Sequence, residues 1–134
     1  MSKLLFLDVD GVLNKDSGRS APLDPSLVKL FLGWWVPYRL EVEIVLSSSW
    51  RFSDKHKATL RSAGINFRGE TPPGRGIRGE EIRSALMHHK SKEYAILDDN
   101  SDMLPEQLPH FVQTNQTIGL QPKDLIRVTR ILKL

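Results

Sequence analysis

The chain has no cysteine, which removes disulfides, thiolate nucleophiles and cysteine-based zinc sites from consideration. It also lacks any run of about 18 apolar residues, so no membrane-spanning helix and no membrane partner are expected. Its first residues, MSKLLFLDVDG, set Asp8 and Asp10 where a secretory leader needs an unbroken apolar stretch, so a cytoplasmic protein is expected. The four histidines (His56, His88, His89, His110) have no convincing metal-ligand spacing. Any metal therefore has to be held by carboxylates. Internal repeats and low-complexity tracts are absent too, and 134 residues suit one domain, 1–134, with little room for a second.

What the chain does have is charge, unevenly placed around a net +3. Residues 1–50 carry five Lys/Arg against six Asp/Glu, and residues 93–134 carry four against six. Residues 51–92 carry ten (Arg51, Lys55, Lys57, Arg61, Arg68, Arg75, Arg78, Arg83, Lys90, Lys92) against Asp54, Glu70, Glu80 and Glu81. A basic segment in an otherwise slightly acidic chain suits an anionic partner, phosphate or nucleic acid, as well as a solvated helix face.

Short apolar runs alternate with amphipathic segments of helix length, the pattern of an α/β domain with a mostly parallel five-stranded sheet. Strands are predicted at 3–7, 43–47, 94–97 and 111–113, with a weaker one at 65–67. Asp24 followed by Pro25 is a helix start, and Leu27, Leu30, Phe31 and Trp34 follow at helical spacing to about Trp35. Trp34 and Trp35 are expected to pack in the core. Ser53 or Asp54 opens a second helix to about Ser62, with Gly64 as its stop. Residues 69–76, GETPPGRG, read as loop. A third helix is expected over about 79–89 and a last one after Pro122.

The chemistry gathers at the strand ends. The first strand runs into Asp8-Val9-Asp10-Gly11-Val12-Leu13. Groups just past the carboxyl ends of parallel strands face the ligand crevice. Two residues apart on a continuing strand, Asp8 and Asp10 would point to opposite faces. Gly11 lets the chain turn and returns Asp10 to the same site. The second strand runs into Ser47-Ser48-Ser49-Trp50-Arg51, where a hydroxyl beside free amides suits phosphate oxygens, and a flat ring and a guanidinium fork suit a nucleotide. Serine as a helix cap, Trp50 in the core and Arg51 in a surface ion pair are the plainer alternatives. The fourth strand opens into Asp98-Asp99-Asn100-Ser101-Asp102, three carboxylates within five residues. They repel unless solvated or neutralised, and with Asp8 and Asp10 nearby a divalent cation is the natural neutraliser; oxygen ligands favour magnesium over zinc.

These motifs resemble those of haloacid dehalogenase (HAD) superfamily phosphatases: FLDVDGVLN as the first, VLSSSWR as the second and LDDNSDM as the fourth. The third, a basic residue opening a helix, is best matched by Arg78 in IRGEEI, with arginine in place of the commoner lysine. The wording SSSWR and DDNSDM further resembles small HAD domains associated with RNA-repair proteins. The resemblance implies a Rossmann-like three-layer sandwich and magnesium. It implies that Asp8 is the nucleophile, forming an aspartyl phosphate, and that Asp10 is the acid and base. Ser47, or Ser48 as its alternative, would bind the phosphoryl group, and Arg78 would neutralise charge. Asp8, the backbone carbonyl of Asp10, Asp98 and either Asp99 or Asp102 would form the metal shell. Gly11, Ser48, Trp50 and Arg51 are expected on the substrate side.

Only 36 residues separate Asp10 from Ser47 and 30 separate Ser47 from Arg78. Neither gap holds a cap domain, only a short flap at about 14–22. An open site of that kind admits the end of a macromolecule, so the expected substrate is a terminal phosphate on a nucleic acid, with Trp50 stacking on a base and Arg51 or Arg75 on the backbone. A phosphatase of small metabolites or nucleotides, and a non-catalytic module binding nucleic-acid ends, are the alternatives.

Overall fold

A computed structural model of the chain describes residues 2–15, 21–89 and 93–134. In β1 (Lys3–Leu7), Leu5 and Leu7 join one apolar cluster while Leu4 and Phe6 join another, the alternation of a strand buried on both faces. β1 lies at the centre of the sheet. On one side it pairs with β2 (Val42–Leu46), which pairs with the two-residue β3 (Gly69–Glu70); on the other it pairs with β4 (Tyr94–Asp98), which pairs with β5 (Phe111–Gln113). The order is β3-β2-β1-β4-β5 and every pairing is parallel.

Helices cover both faces. Asp24 caps α1 (Pro25–Trp35) by accepting from Ser26 N, and Pro25 occupies its first turn, where a missing N–H costs nothing. An isolated helix of this length is marginal in water. Four buried side chains, Leu27, Val28, Phe31 and Trp35, at about 2 kcal/mol each, hold it to the sheet. They share a cluster with Leu5, Leu7 and Ile44, with Leu60 of α2 (Asp54–Ser62), and with Leu125 and Val128 of α4 (Pro122–Ile131). On the other face, Ile82 and Ala85 of α3 (Arg78–Leu86) pack with Leu4, Phe6, Val45 and Ile96. The result is the three-layer, Rossmann-like sandwich expected. Both tryptophans of α1 pack as expected: Trp35 Nε1 donates to Val42 O at 3.0 Å and Trp34 Nε1 to Thr129 Oγ1 at 2.9 Å.

Several elements differ from expectation. Residues 65–67 are not a strand, although Ile65 and Phe67 are buried; the pairing with β2 falls instead on Gly69 and Glu70, inside the stretch expected to be loop. β2 ends at Leu46, one residue before the expected end, so Ser47 lies just beyond it. α3 ends at Leu86, with Met87 exposed, rather than at His89. Pro105–His110 forms an unforeseen 3-10 turn. No helix among the described residues is long and apolar enough to cross a membrane. Most of the flap expected at 14–22, and Lys90 and Lys92 of the basic segment, lie outside the described residues.

Candidate active site

The register of the sheet sets the site. Leu7 is level with Leu46 of β2 and with Leu97 of β4. The next residue of each strand, Asp8, Ser47 and Asp98, therefore lies in one row along the carboxyl edge. Backbone bonds continue the ladder one step further, with Asp8 N donating to Leu97 O at 3.0 Å and Ser47 N to Leu7 O at 3.0 Å.

Three carboxylates meet there: oxygens of Asp8, Asp98 and Asp99 lie within 4.8 Å of one another. Asp8 and Asp98 are buried and Asp99 is half-buried. Arg78 faces two of them, its Nη1 3.3 Å from Asp8 Oδ1 and donating to Asp98 Oδ2. One cation against three acids leaves negative charge in a desolvated place. Burial pushes the Asp8 carboxyl up to about 8; Asp98 adds to the rise and Arg78 offsets part of it. Burial likewise raises Asp99 to about 7, with Asp8 adding to it, and Asp98 to about 6, with Arg78 opposing. Burial alone would lower the Arg78 guanidinium, but the charges of Asp98 and Asp8 outweigh it and hold it above its ordinary value.

Arg78 is placed by the loop that follows β4. Its backbone N donates to Asp102 Oδ2 at 2.9 Å, so Asp102 caps α3, whose own N-cap residue, Ile77, offers no side-chain oxygen. Gly79 N donates to Asp102 O, and the buried Gln107 side chain ties Leu104 N to Gly79 O. Asp102 is therefore not in the carboxylate cluster, which Asp99 joins instead. The other Asp102 oxygen, Oδ1, is buried without a hydrogen-bond partner among the described residues.

The Asp10 side chain is held through one oxygen: Oδ1 accepts from Trp50 Nε1 at 3.1 Å and from Asn14 Nδ2 at 2.9 Å. Gly11 makes this possible. It turns the chain with a φ of +79°, and a Cβ there would collide with the Asp99 carboxylate. Its N–H donates to Asn14 Oδ1 and its carbonyl accepts from Thr114 Oγ1, so both backbone groups serve the fold rather than a substrate.

The serines divide. Ser48 caps the 3-10 turn at Ser49–Phe52 by accepting from Trp50 N. Ser47 Oγ, by contrast, is buried without a hydrogen-bond partner among the described residues.

Trp50 and Arg51 depart from the substrate roles expected of them. Trp50 is only 3% exposed and stacks on His56 with centroids 4.3 Å apart, which leaves no face for a base. Arg51 is 4% exposed. It donates to Ser47 O, Ser48 O and Thr71 O at 2.9 Å each and pairs with Glu81 Oε2 at 3.1 Å. Its fork is saturated by protein groups and cannot also hold a nucleic-acid backbone.

Sequence reasoning passes over Asn14, Phe52 and Glu81. Asn14 stands within the first motif without a role. Glu81 is three residues after Arg78, a spacing that brings helical side chains together, and its Oε1 is 3.9 Å from Arg78 Nε. Phe52 is 62% exposed at the carboxyl edge, its ring 4.1 Å from the Arg51 guanidinium carbon. The two long intervals of the chain are filled by α1 and β2 and by α2 and β3, so among the described residues no cap covers this edge.

The family model described as the HAD domain in Swiss Army Knife RNA repair proteins matches residues 4–125. No curated protein and no solved structure matches the chain.

Proposed function

Because the chain belongs to the family of HAD domains in Swiss Army Knife RNA repair proteins, we propose that it is a magnesium-dependent phosphomonoesterase acting through an aspartyl phosphate. The observation that carries this reading is the row of Asp8, Ser47 and Asp98, with Asp99 and Arg78 closed around Asp8. In the first step an Asp8 oxygen bonds to phosphorus as the bond from phosphorus to the ester oxygen breaks, and Asp10 gives that oxygen a proton. In the second, water bonds to phosphorus, the Asp8–phosphorus bond breaks, Asp10 takes the water's proton and inorganic phosphate leaves. Ser47 Oγ, otherwise unpartnered, donates to a phosphoryl oxygen, and Arg78 offsets the charge that accumulates between Asp8 and phosphate.

A hard divalent cation suits the donor set, since three clustered carboxylates with one arginine leave an excess of negative charge and all the ligands are oxygens. Asp8, Asp98 and Asp99 would hold magnesium, which when bound screens the approach of nucleophile and phosphate. Gly11→Ala, which pushes on the Asp99 carboxylate, is expected to weaken magnesium binding at least about tenfold by calorimetry. An unchanged affinity would remove Asp99 from the shell.

The substrate proposed is a terminal phosphate of a nucleic acid. With Trp50 buried, the aromatic surface offered at the open edge is Phe52, held from beneath by Arg51, and the exposed Arg75 lies in the loop leading to α3. The test is magnesium-dependent phosphate release from an aryl phosphate and from oligonucleotides phosphorylated at the 5′ or 3′ end. Phe52→Ala is expected to raise KM for the preferred oligonucleotide about tenfold, a typical loss of one base–aromatic stack, and to affect the aryl phosphate far less. Equal KM changes on both would point to a small-molecule substrate, and oligonucleotide binding with no release from any substrate would point to a binding module.

A further inference from the structure

The two donors on Asp10 reach the same oxygen. Trp50 Nε1 and Asn14 Nδ2 both point at Oδ1, at 3.1 and 2.9 Å, and no described residue donates to Oδ2. The orientation of the Asn14 amide follows from its partners: Oδ1 accepts from Gly11 N at 2.9 Å, so Nδ2 is the group shared between Asp10 and Ala21 O. The indole N–H is a donor with no alternative role. Its ring is fixed by the Ser48 cap on the backbone beneath it and by His56 stacked on its face.

A neutral carboxyl has one oxygen that bears hydrogen and one that only accepts. Two N–H groups aimed at Oδ1 make it the accepting oxygen, because a hydrogen there would face the donors. We propose that Trp50 and Asn14 are positioning residues that hold Asp10 by Oδ1 and so leave Oδ2 as the oxygen that exchanges a proton with the departing group. This rests on the phosphomonoesterase reading and deepens it in one respect, the kind of leaving group the site serves. An alkoxide, such as a sugar hydroxyl, is a poor leaving group and needs a proton delivered as its bond to phosphorus breaks. A nitrophenolate leaves with little help. A site that spends a buried tryptophan on aiming one proton is built for alkyl phosphomonoesters.

Trp50→Phe keeps one aromatic ring against His56 and removes the N–H together with the second ring of the indole, a packing loss that falls on both esters alike. The experiment measures kcat/KM with magnesium for p-nitrophenyl phosphate, a good leaving group, and for a nucleoside 5′-monophosphate, a poor one. The variant is expected to lose activity on both, with a loss at least about tenfold greater on the alkyl ester. In an Asp10→Asn background the same change should add less than about twofold, since its route to the chemistry is gone. Equal losses on both esters, or full additivity with Asp10→Asn, would mean that Trp50 acts only through the fold and would overturn the proposal.

A second measurement needs no turnover and no folded Trp50 variant. The indole N–H proton resonance of Trp50 in the wild-type protein should move upfield on Asp10→Ala while those of Trp34 and Trp35 stay in place. A resonance that does not move would show that the bond is not made. If wild-type protein releases no phosphate from either ester, the phosphomonoesterase reading fails, whereas the indole resonance still judges the contact with Asp10.

Discussion

Asp8→Asn is expected to abolish phosphate release, by at least about a thousandfold, and at the same time to make the magnesium-free protein more resistant to heat at pH 8. The first effect follows because an amide offers phosphorus no anionic oxygen. The second follows from linkage. Burial, together with the charge of Asp98, pushes Asp8 up to about 8 in the folded protein, against about 4 in an unfolded chain. Between those values the folded state keeps a proton that the unfolded chain has released. The stability Asp8 contributes is therefore complete below about pH 4 and is lost as the pH rises to about 8, by up to about 1.4 kcal/mol per unit. Asp99 and Asp98, raised to about 7 and about 6, act with the same sign. An asparagine amide stays neutral throughout and also relieves Asp99, whose rise owes part to Asp8. Without magnesium, the wild-type melting temperature should fall from pH 5 to pH 8 and that of Asp8→Asn should fall less. Magnesium at pH 8 should raise the wild-type value more than the variant's. A wild-type melting temperature that is flat over this range would show that the three carboxylates are not desolvated together.

Much of that cluster is legible in the amino-acid sequence. Strands buried on both faces leave continuous apolar runs, KLLFL and YAIL, and the polar residues that end such runs must emerge at one edge of a parallel sheet. Asp8 and Asp98 follow from that alone. What the runs do not carry is rotation about the chain beyond the strand. Ser49–Phe52 forms a 3-10 turn, and its pitch, not its composition, decides that Trp50 and Arg51 turn inward while Phe52 faces solvent. A reading by residue type assigns the stacking role to the larger ring. The position of β3 escapes such a reading for a related reason. Ile65 and Phe67 alternate like a strand but are buried as loop, whereas Gly69 and Glu70 pair through their backbone with Val45 and Leu46 because β2 is already there to receive them. The choice between Asp99 and Asp102 turns on the start of α3, where Ile77 has no capping oxygen and Asp102 is recruited to supply one. Spacing within a five-residue acidic loop holds no trace of that distant need.

Arg51→Met is expected to destabilise the protein by about 4 kcal/mol and to lower its melting temperature by roughly 10 °C or more. Methionine keeps much of the stem's volume, so the loss is that of the guanidinium. Two carbonyls, Ser47 O beyond β2 and Thr71 O beyond β3, lose their donor in a buried place, and Ser48 O keeps just the backbone N–H of residue 51. Glu81, also buried, loses the cation at 3.1 Å and keeps only Gly74 N at 3.0 Å and the more distant Arg78. Arg51→Lys should rescue little, because an ammonium is a point charge and cannot span carbonyls on two strands. Glu81→Gln in the Arg51→Met background should recover part of the loss by removing the stranded charge, so that urea unfolding of the four proteins gives a coupling above about 1 kcal/mol. An Arg51→Met protein within about 1 kcal/mol of wild type would show that these groups are solvated and that the network holds nothing. The same bonds explain why this arginine, so close to the proposed phosphate site, has no donor left for a phosphate. Its fork joins the ends of β2 and β3 to α3, the helix that carries Arg78, and so sets the distance between Ser47 and the guanidinium that faces Asp8.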